Sequence, residues 1–421
     1  MKKSRIIISF LLIFAFLLSL SSCLMLDDGK SGDYMTEEDV RNLISSQLGE
    51  NVTVEGGDNY NINIEGSATV ASAAAKGLLS AVSVECNFTV RSGIYPSKTT
   101  KATSSGSGVI YKLDKENGNA YIITNYHVVY HNMSTTSGGI SDDITLYLYG
   151  SEPQTISGYG IKASYIGGSM NYDIAVLKVE NSAVLARSNA REAEFADSNN
   201  VSVLDMAIAI GNAAAAGISA TVGYVNVDSE YLEMEGADGY TPISLRVMRI
   251  DTAVNGGNSG GGLFNERGEL IGIVNAKLVD SDIDNIGYAI PSNVVKYISD
   301  NIIYYCDGTD KTSVYRCILG ITVNVTEAHS ELDTETGKVV RRETVTVGSV
   351  LDDSIVKGLL EAGDIIKSIT IDGKTYEVDR TFKVIDSMLN ARVGSTVTFN
   401  IIRGSEMSVD ISITEDTLTQ Y

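Results

Sequence analysis

The chain has 421 residues, 43% apolar and 20% charged, which excludes wholesale disorder and leaves room for two to three domains. Its 53 acids against 32 bases give a formal net charge of −21, which repels phosphate backbones and argues against a nucleic-acid partner. Three histidines and four cysteines are too few for a His- or Cys-rich metal cluster, and forty glycines with four prolines and no tryptophan lean towards β structure.

The chain opens on an address. Lys2, Lys3 and Arg5 precede an apolar run over residues 6–18 and then Leu20-Ser21-Ser22-Cys23. This is the layout of a secretory signal peptide, too short for a membrane span. The four residues ending in Cys23 resemble a bacterial lipobox. That resemblance implies a leader over residues 1–22, lipidation of Cys23 and an extracytoplasmic chain anchored to a bacterial membrane through lipid. Residues 23–75 read as a polar stalk. Within it Thr36-Glu37-Glu38-Asp39 starts a short helix, with Val40, Leu43, Ile44 and Leu48 at helical spacing.

From 76 to 305 the pattern is β-rich. Apolar runs at 108–111, 120–124, 144–148, 174–179, 221–225 and 270–274 are separated by Gly, Asn, Asp and Ser. Many short strands at such spacing predict an all-β barrel or sandwich. Pro291 then opens a helix through Val294, Val295, Ile298 and Ile302. From 306 to 421, strands are predicted at 318–325 and 344–350 around a charged insertion, 327–343. Further strands fall at 365–371, 397–402 and 408–413, and helices at 354–360 and 381–389. Cys306 and Cys317 are eleven residues apart and could pair, whereas Cys86 reads as a buried free thiol.

Three segments carry chemistry: Thr124-Asn125-Tyr126-His127-Val128-Val129, Asn171-Tyr172-Asp173-Ile174-Ala175, and Gly256-Gly257-Asn258-Ser259-Gly260-Gly261. Hydrolysis by serine needs a hydroxyl, a base to take its proton and an acid to orient the base. Ser259, His127 and Asp173 supply these types, in the chain order of chymotrypsin-like enzymes. The oxyanion that develops needs backbone N–H donors, for which Gly257 and Ser259 are placed. His131 follows His127 by four residues without the glutamate of a zinc motif, so no metal site is expected there.

These segments, with Ser105-Gly106-Ser107-Gly108-Val109-Ile110, Ala209-Ile210-Gly211-Asn212 and Gly287-Tyr288-Ala289-Ile290-Pro291, resemble the HtrA (Deg) branch of trypsin-like serine proteases. The resemblance implies an all-β-dominated fold, a chymotrypsin-like double β-barrel. It places the triad on His127, Asp173 and Ser259 and the oxyanion hole on the amides of Gly257, Asn258 and Ser259. It implies no cofactor and a homo-oligomer, a trimer in the family. Gly256 and Gly262 depart from the family pattern, and the paired glycines 256 and 257 predict a pliable oxyanion loop that is ordered on activation. Ala253, six residues before Ser259, is expected to floor an apolar specificity pocket.

Residues 306–421 resemble the PDZ domain that such proteases carry, on Ile318-Leu319-Gly320-Ile321, Gly358-Leu359 and Ala362-Gly363-Asp364-Ile365-Ile366. An α+β PDZ domain holds a peptide C-terminus as an added strand, its carboxylate on backbone amides. Here Ile318, Leu319, Gly320 and Ile321 would form that loop. The expected function is an extracytoplasmic serine endopeptidase acting on misfolded or damaged proteins and peptides, regulated by that domain. The alternatives are a non-catalytic chaperone or peptide-binding scaffold, and a processing protease with a narrow substrate.

Overall fold

A computed structural model describes residues 52–55, 61–64, 70–92, 98–151, 159–278, 286–334 and 336–421. The expected leader, Cys23 and the helix over 36–49 lie outside the described residues. The chain divides into two units, Met1–Ser67 and Ala68–Tyr421. In the first, β1 (Val52–Glu55) and β2 (Asn61–Ile64) form an antiparallel hairpin in the register Val52↔Ile64 to Glu55↔Asn61.

The second unit begins with α1 (Val70–Ser80), which buries Ala73 and Gly77. A side chain at Gly77 would run into Ile210 and Phe264, so this glycine lets α1 lie against the second barrel. The boundary expected at 75/76 therefore falls inside a helix whose first turns already pack on the second barrel.

Six strands close the first barrel: β3 (Ala81–Ser92), β4 (Lys98–Asp114), β5 (Asn119–Thr124), β6 (Asp143–Leu148), β7 (Ile161–Ser169) and β8 (Ile174–Val179). A short helix, α2 (Tyr126–Val129), follows β5. The second closed barrel takes β9 (Met206–Gly211), β10 (Ser219–Glu235), β11 (Pro242–Ile250), β12 (Gly262–Phe264), β13 (Leu270–Val274) and β14 (Gly287–Pro291). This is the expected chymotrypsin-like double barrel.

Strand alternation explains why the central strands read as unbroken apolar runs. In β8, Ala175, Leu177 and Val179 fill the first barrel, while Ile174 and Val176 face the cluster between barrels. In β9, Ala207 and Ala209 fill the second barrel, while Ile208 and Ile210 face that same cluster. The cluster is closed by α3 (Ser292–Cys306), whose Val294, Val295, Ile298 and Ile302 lie on one face at the spacing a helix requires.

The C-terminal domain pairs β15 (Tyr315–Cys317) with β22 (Leu418–Gln420) and carries a larger sheet. That sheet comprises β16 (Ile321–Leu332), β17 (Val339–Val350), β18 (Ile365–Ile371), β19 (Lys374–Glu377), β20 (Thr396–Arg403) and β21 (Ser405–Ser412). The helix α4 (Phe382–Met388) packs on its core. The charged insertion is not a loop. It forms the far arms of the β16–β17 hairpin, in register as far as Leu332↔Val339, with Lys338 reaching Asp205 of the double-barrel domain at 2.6 Å. Residues 354–360 form turns rather than the expected helix, and Gly358 has a φ of +77° that a helix cannot contain.

The possible Cys306–Cys317 disulfide is not formed, because each thiol packs into a different core. Burial pushes both thiols up to about 11 and Cys86 up to about 12. Among the described residues no helix is long and apolar enough to cross a membrane.

The two domains are joined by a buried ion pair, Arg246 of β11 with Asp386 of α4 at 2.8 Å, with the guanidinium 3.8 Å over the Phe382 ring. Arg246→Ala would leave a carboxylate without its partner in the interface. The expected loss is about 3–5 kcal/mol of stability near neutral pH, read from urea unfolding. Burial already holds Asp386 above the ordinary carboxylate range, and Arg246 opposes that rise. A raised native pKa makes stability fall as pH climbs above the unfolded value of 3.8. The deficit of the variant should therefore be smallest in acid and grow towards neutrality. An equal deficit at all pH values would show that the pair is not its source.

Candidate active site

The site lies where the ends of β5, β8 and β12 meet. Asn125 ends helix-incompatible backbone just before α2, so the first turn presents His127 towards β8. Asp173 sits immediately before β8 with a φ of +49°, a left-handed conformation uncommon for a side chain bearing Cβ. Two contacts hold that geometry: the Asn125 side-chain amide donates to the Asp173 carbonyl at 2.8 Å, and the Tyr126 amide donates to it at 3.2 Å.

The Asp173 carboxylate is nearly buried and fully engaged. One oxygen meets His127 Nδ1 at 2.7 Å and accepts from the Asn275 side-chain amide at 2.8 Å. The other accepts from the His127 backbone amide at 3.0 Å. An acceptor at Nδ1 holds the neutral imidazole in the tautomer that leaves Nε2 free to take a proton.

Ser259 is buried, and its hydroxyl accepts from the Ala276 amide at 3.2 Å. The hydroxyl-to-imidazole hydrogen bond is absent from this geometry; such contacts commonly tighten only with substrate bound. The structure thus brings His127 and Asp173 into direct contact and places Ser259 on the opposite barrel.

Of the three amides expected to form the oxyanion hole, Asn258 is already engaged, donating to the Asn255 carbonyl at 3.0 Å. The Gly257 and Ser259 amides donate to no protein atom among the described residues. The Gly256 carbonyl accepts from Ala214 N at 2.7 Å and the Asn258 carbonyl from Gly261 N at 2.9 Å. In a trans peptide N–H and C=O point oppositely, so both bonds turn the free amides the other way. Gly257 has a φ of +95°, and a Cβ there would run into the Asn212 carbonyl, so only glycine fits. Gly262 is required by the Phe264 ring, whereas Gly256 has open space around it.

Ala253 departs from expectation. It is exposed rather than set at the base of a closed pocket, its carbonyl held by the Thr221 hydroxyl at 2.9 Å, and the buried apolar side chain of this loop is Val254.

The loop at 318–320 lies at one end of an apolar cavity of about 320 Å³. Ile321 and Val323 line one wall and Val384, Ile385 and Met388 of α4 the other. Ile318 is exposed, Leu319 is buried, and Gly320 has a φ of +69°. The amides of residues 318–320 donate to no protein atom among the described residues.

The sequence reading missed Asn275, which follows β13 and shares the Asp173 carboxylate. It also missed Arg316, which lines that cavity and donates to the hydroxyl of Tyr172, next to Asp173, at 2.7 Å. Neither stands in a motif; only packing of distant segments reveals them.

Residues 106–273 match the trypsin-like peptidase domain family. The Do-like serine protease HtrA of Bacillus subtilis (strain 168) is 32% identical over 323 residues, covering 74% of this chain and 64% of that protein. The HtrA of Lactococcus lactis subsp. lactis (strain IL1403) is 30% identical over 329 residues, 75% of this chain and 72% of that protein. The periplasmic serine endoprotease DegP of Escherichia coli (strain K12) is 31% identical over 76% of this chain and 59% of its own length. The chain thus spans less than two thirds of the Bacillus and Escherichia relatives. A solved HtrA-type protease, AlgW with tripeptide, shares the fold over 84% of this chain and 98% of its own, with a TM-score of 0.51 at 24% identity. A chain that closes two six-stranded barrels and is 30% identical to the Lactococcus protein over 72% of its length belongs to the HtrA family of trypsin-like serine proteases.

Proposed function

We propose that the protein is an extracytoplasmic serine endopeptidase that hydrolyses peptide bonds in unfolded or damaged proteins. The observation that carries this reading is the His127–Asp173 pair held at 2.7 Å in one barrel, with Ser259 and the free amides of Gly257 and Ser259 in the other. Ser259 Oγ attacks the scissile carbonyl as His127 Nε2 takes its proton. The amides of Gly257 and Ser259 receive the oxyanion, and the imidazolium returns the proton to the leaving amine.

The C-terminal domain acts in this reading as a PDZ-type receptor for peptide C-termini. Free amides at one end of an apolar cavity suit a carboxylate followed by an apolar side chain, with the peptide added as a strand along β16. Lipidation at Cys23 and a homotrimer belong to the same reading and rest on the sequence resemblance.

The test is labelling by a fluorophosphonate, with the adduct located by mass spectrometry. Labelling should fall on Ser259, and an apolar peptide with a free carboxylate should change its rate while the same peptide amidated does not. A chain that takes no label removes the enzyme reading and leaves a peptide-binding scaffold. Labelling that responds equally to both peptides removes the carboxylate receptor alone.

A further inference from the structure

Ser107 belongs to β4, in the other barrel from Ser259, and is fully buried. All its polar atoms act at or near the oxyanion loop. Its backbone amide donates to the Ser259 carbonyl at 2.8 Å, and its own carbonyl accepts from the Thr124 hydroxyl at 2.7 Å. Its hydroxyl donates to the Gly257 carbonyl at 2.7 Å and accepts from the Asn212 amide at 2.7 Å.

A serine hydroxyl has one proton. Because the Asn212 N–H already points at the oxygen, the proton is directed to the Gly257 carbonyl, and burial leaves no water to replace that acceptor. Asn212 is itself pinned, its side-chain amide donating to Ser83 Oγ at 2.6 Å and its side-chain oxygen accepting from Gly217 N at 2.8 Å. We infer that Ser107 is a positioning residue for the oxyanion hole: by clamping the carbonyls of Gly257 and Ser259 it immobilises the peptide between the two that carry the free amides and the peptide that follows them, and so holds the free amides in place. The glycine pair 256–257 makes the loop pliable on its own, and a tether from the opposite barrel supplies the order that the loop's own residues lack. The inference rests on the triad reading above.

A group that acts on the oxyanion should affect the transition state more than the bound substrate. In Ser107→Ala, kcat on a peptide substrate should fall about 10- to 100-fold with KM changed less than about threefold, as for weakening of an oxyanion donor. Affinity for a peptide trifluoromethyl ketone, which forms an oxyanion adduct, should fall by the same factor as kcat/KM. Affinity for a non-reactive peptide of the same sequence should not. If Ser107→Ala does not fold, Ser107→Cys, whose thiol fills similar space but donates weakly, is read by the same comparison. A folded variant with unchanged kcat overturns the inference, as does one that loses ground-state and ketone affinity equally. A wild-type protein without hydrolysis would overturn the triad reading instead, so the two failures are separable.

Discussion

Ser259→Ala should lower casein hydrolysis on the order of 10⁶-fold, the scale on which loss of a triad nucleophile is measured. The hydroxyl is the only group removed, and among the described residues its one hydrogen bond is accepted from the Ala276 amide. The backbone of Ser259 keeps its bond from Ser107. The fold, the free amides and the His127–Asp173 pair should therefore survive, and thermal unfolding should stay close to wild type. Loss of activity with an unchanged transition isolates the chemistry. If the variant digests casein as fast as wild type, Ser259 is not the nucleophile. If neither digests it under conditions that label the wild-type serine, the serine is reactive and the protein is a processing protease with a narrow substrate.

The second large effect is expected from Asp173→Asn, about 10⁴-fold in kcat at neutral pH. The substitution keeps shape and volume but exchanges one acceptor for a donor. With its NH₂ towards His127 Nδ1, the amide would also face the Asn275 NH₂ and would force Nδ1 to accept. The imidazole would then carry its proton on Nε2 and have no lone pair for the serine. With the amide reversed, the NH₂ would oppose the His127 backbone N–H, which now donates to the carboxylate at 3.0 Å. Neither orientation satisfies all three donors. Steady-state kinetics should show the loss in kcat rather than KM, because the carboxylate lies behind the histidine, away from bound substrate. A loss confined to KM would place Asp173 in substrate binding instead.

Much of this was legible along the chain. The apolar runs 174–179 and 270–274 coincide with β8 and β13, because a strand buried on both faces needs no polar alternation. The helix opened by Pro291 was legible because four apolar residues at helical spacing, Val294, Val295, Ile298 and Ile302, follow it. The helix expected over 354–360 was not, because a glycine at positive φ breaks a span whose composition alone suits a helix. The strands within the charged 327–343 insertion were not legible because exposed strands of a two-stranded ribbon carry charges on both faces and lose the period-two signal.

Sequence alone determined the fold family and the expectation of serine chemistry, since His127, Asp173 and Ser259 stand in local motifs in the chain order of chymotrypsin-like enzymes. Tertiary structure alone decided which oxyanion amides are free, that Asn275 shares the Asp173 carboxylate, and that Cys306 and Cys317 stay apart. It also decided that Ser107 reaches the loop across the two barrels, 150 residues away in the chain. Each of these depends on where a carbonyl or thiol points once distant strands have packed, and hydrogen-bond direction is a property of the folded backbone that no local motif encodes.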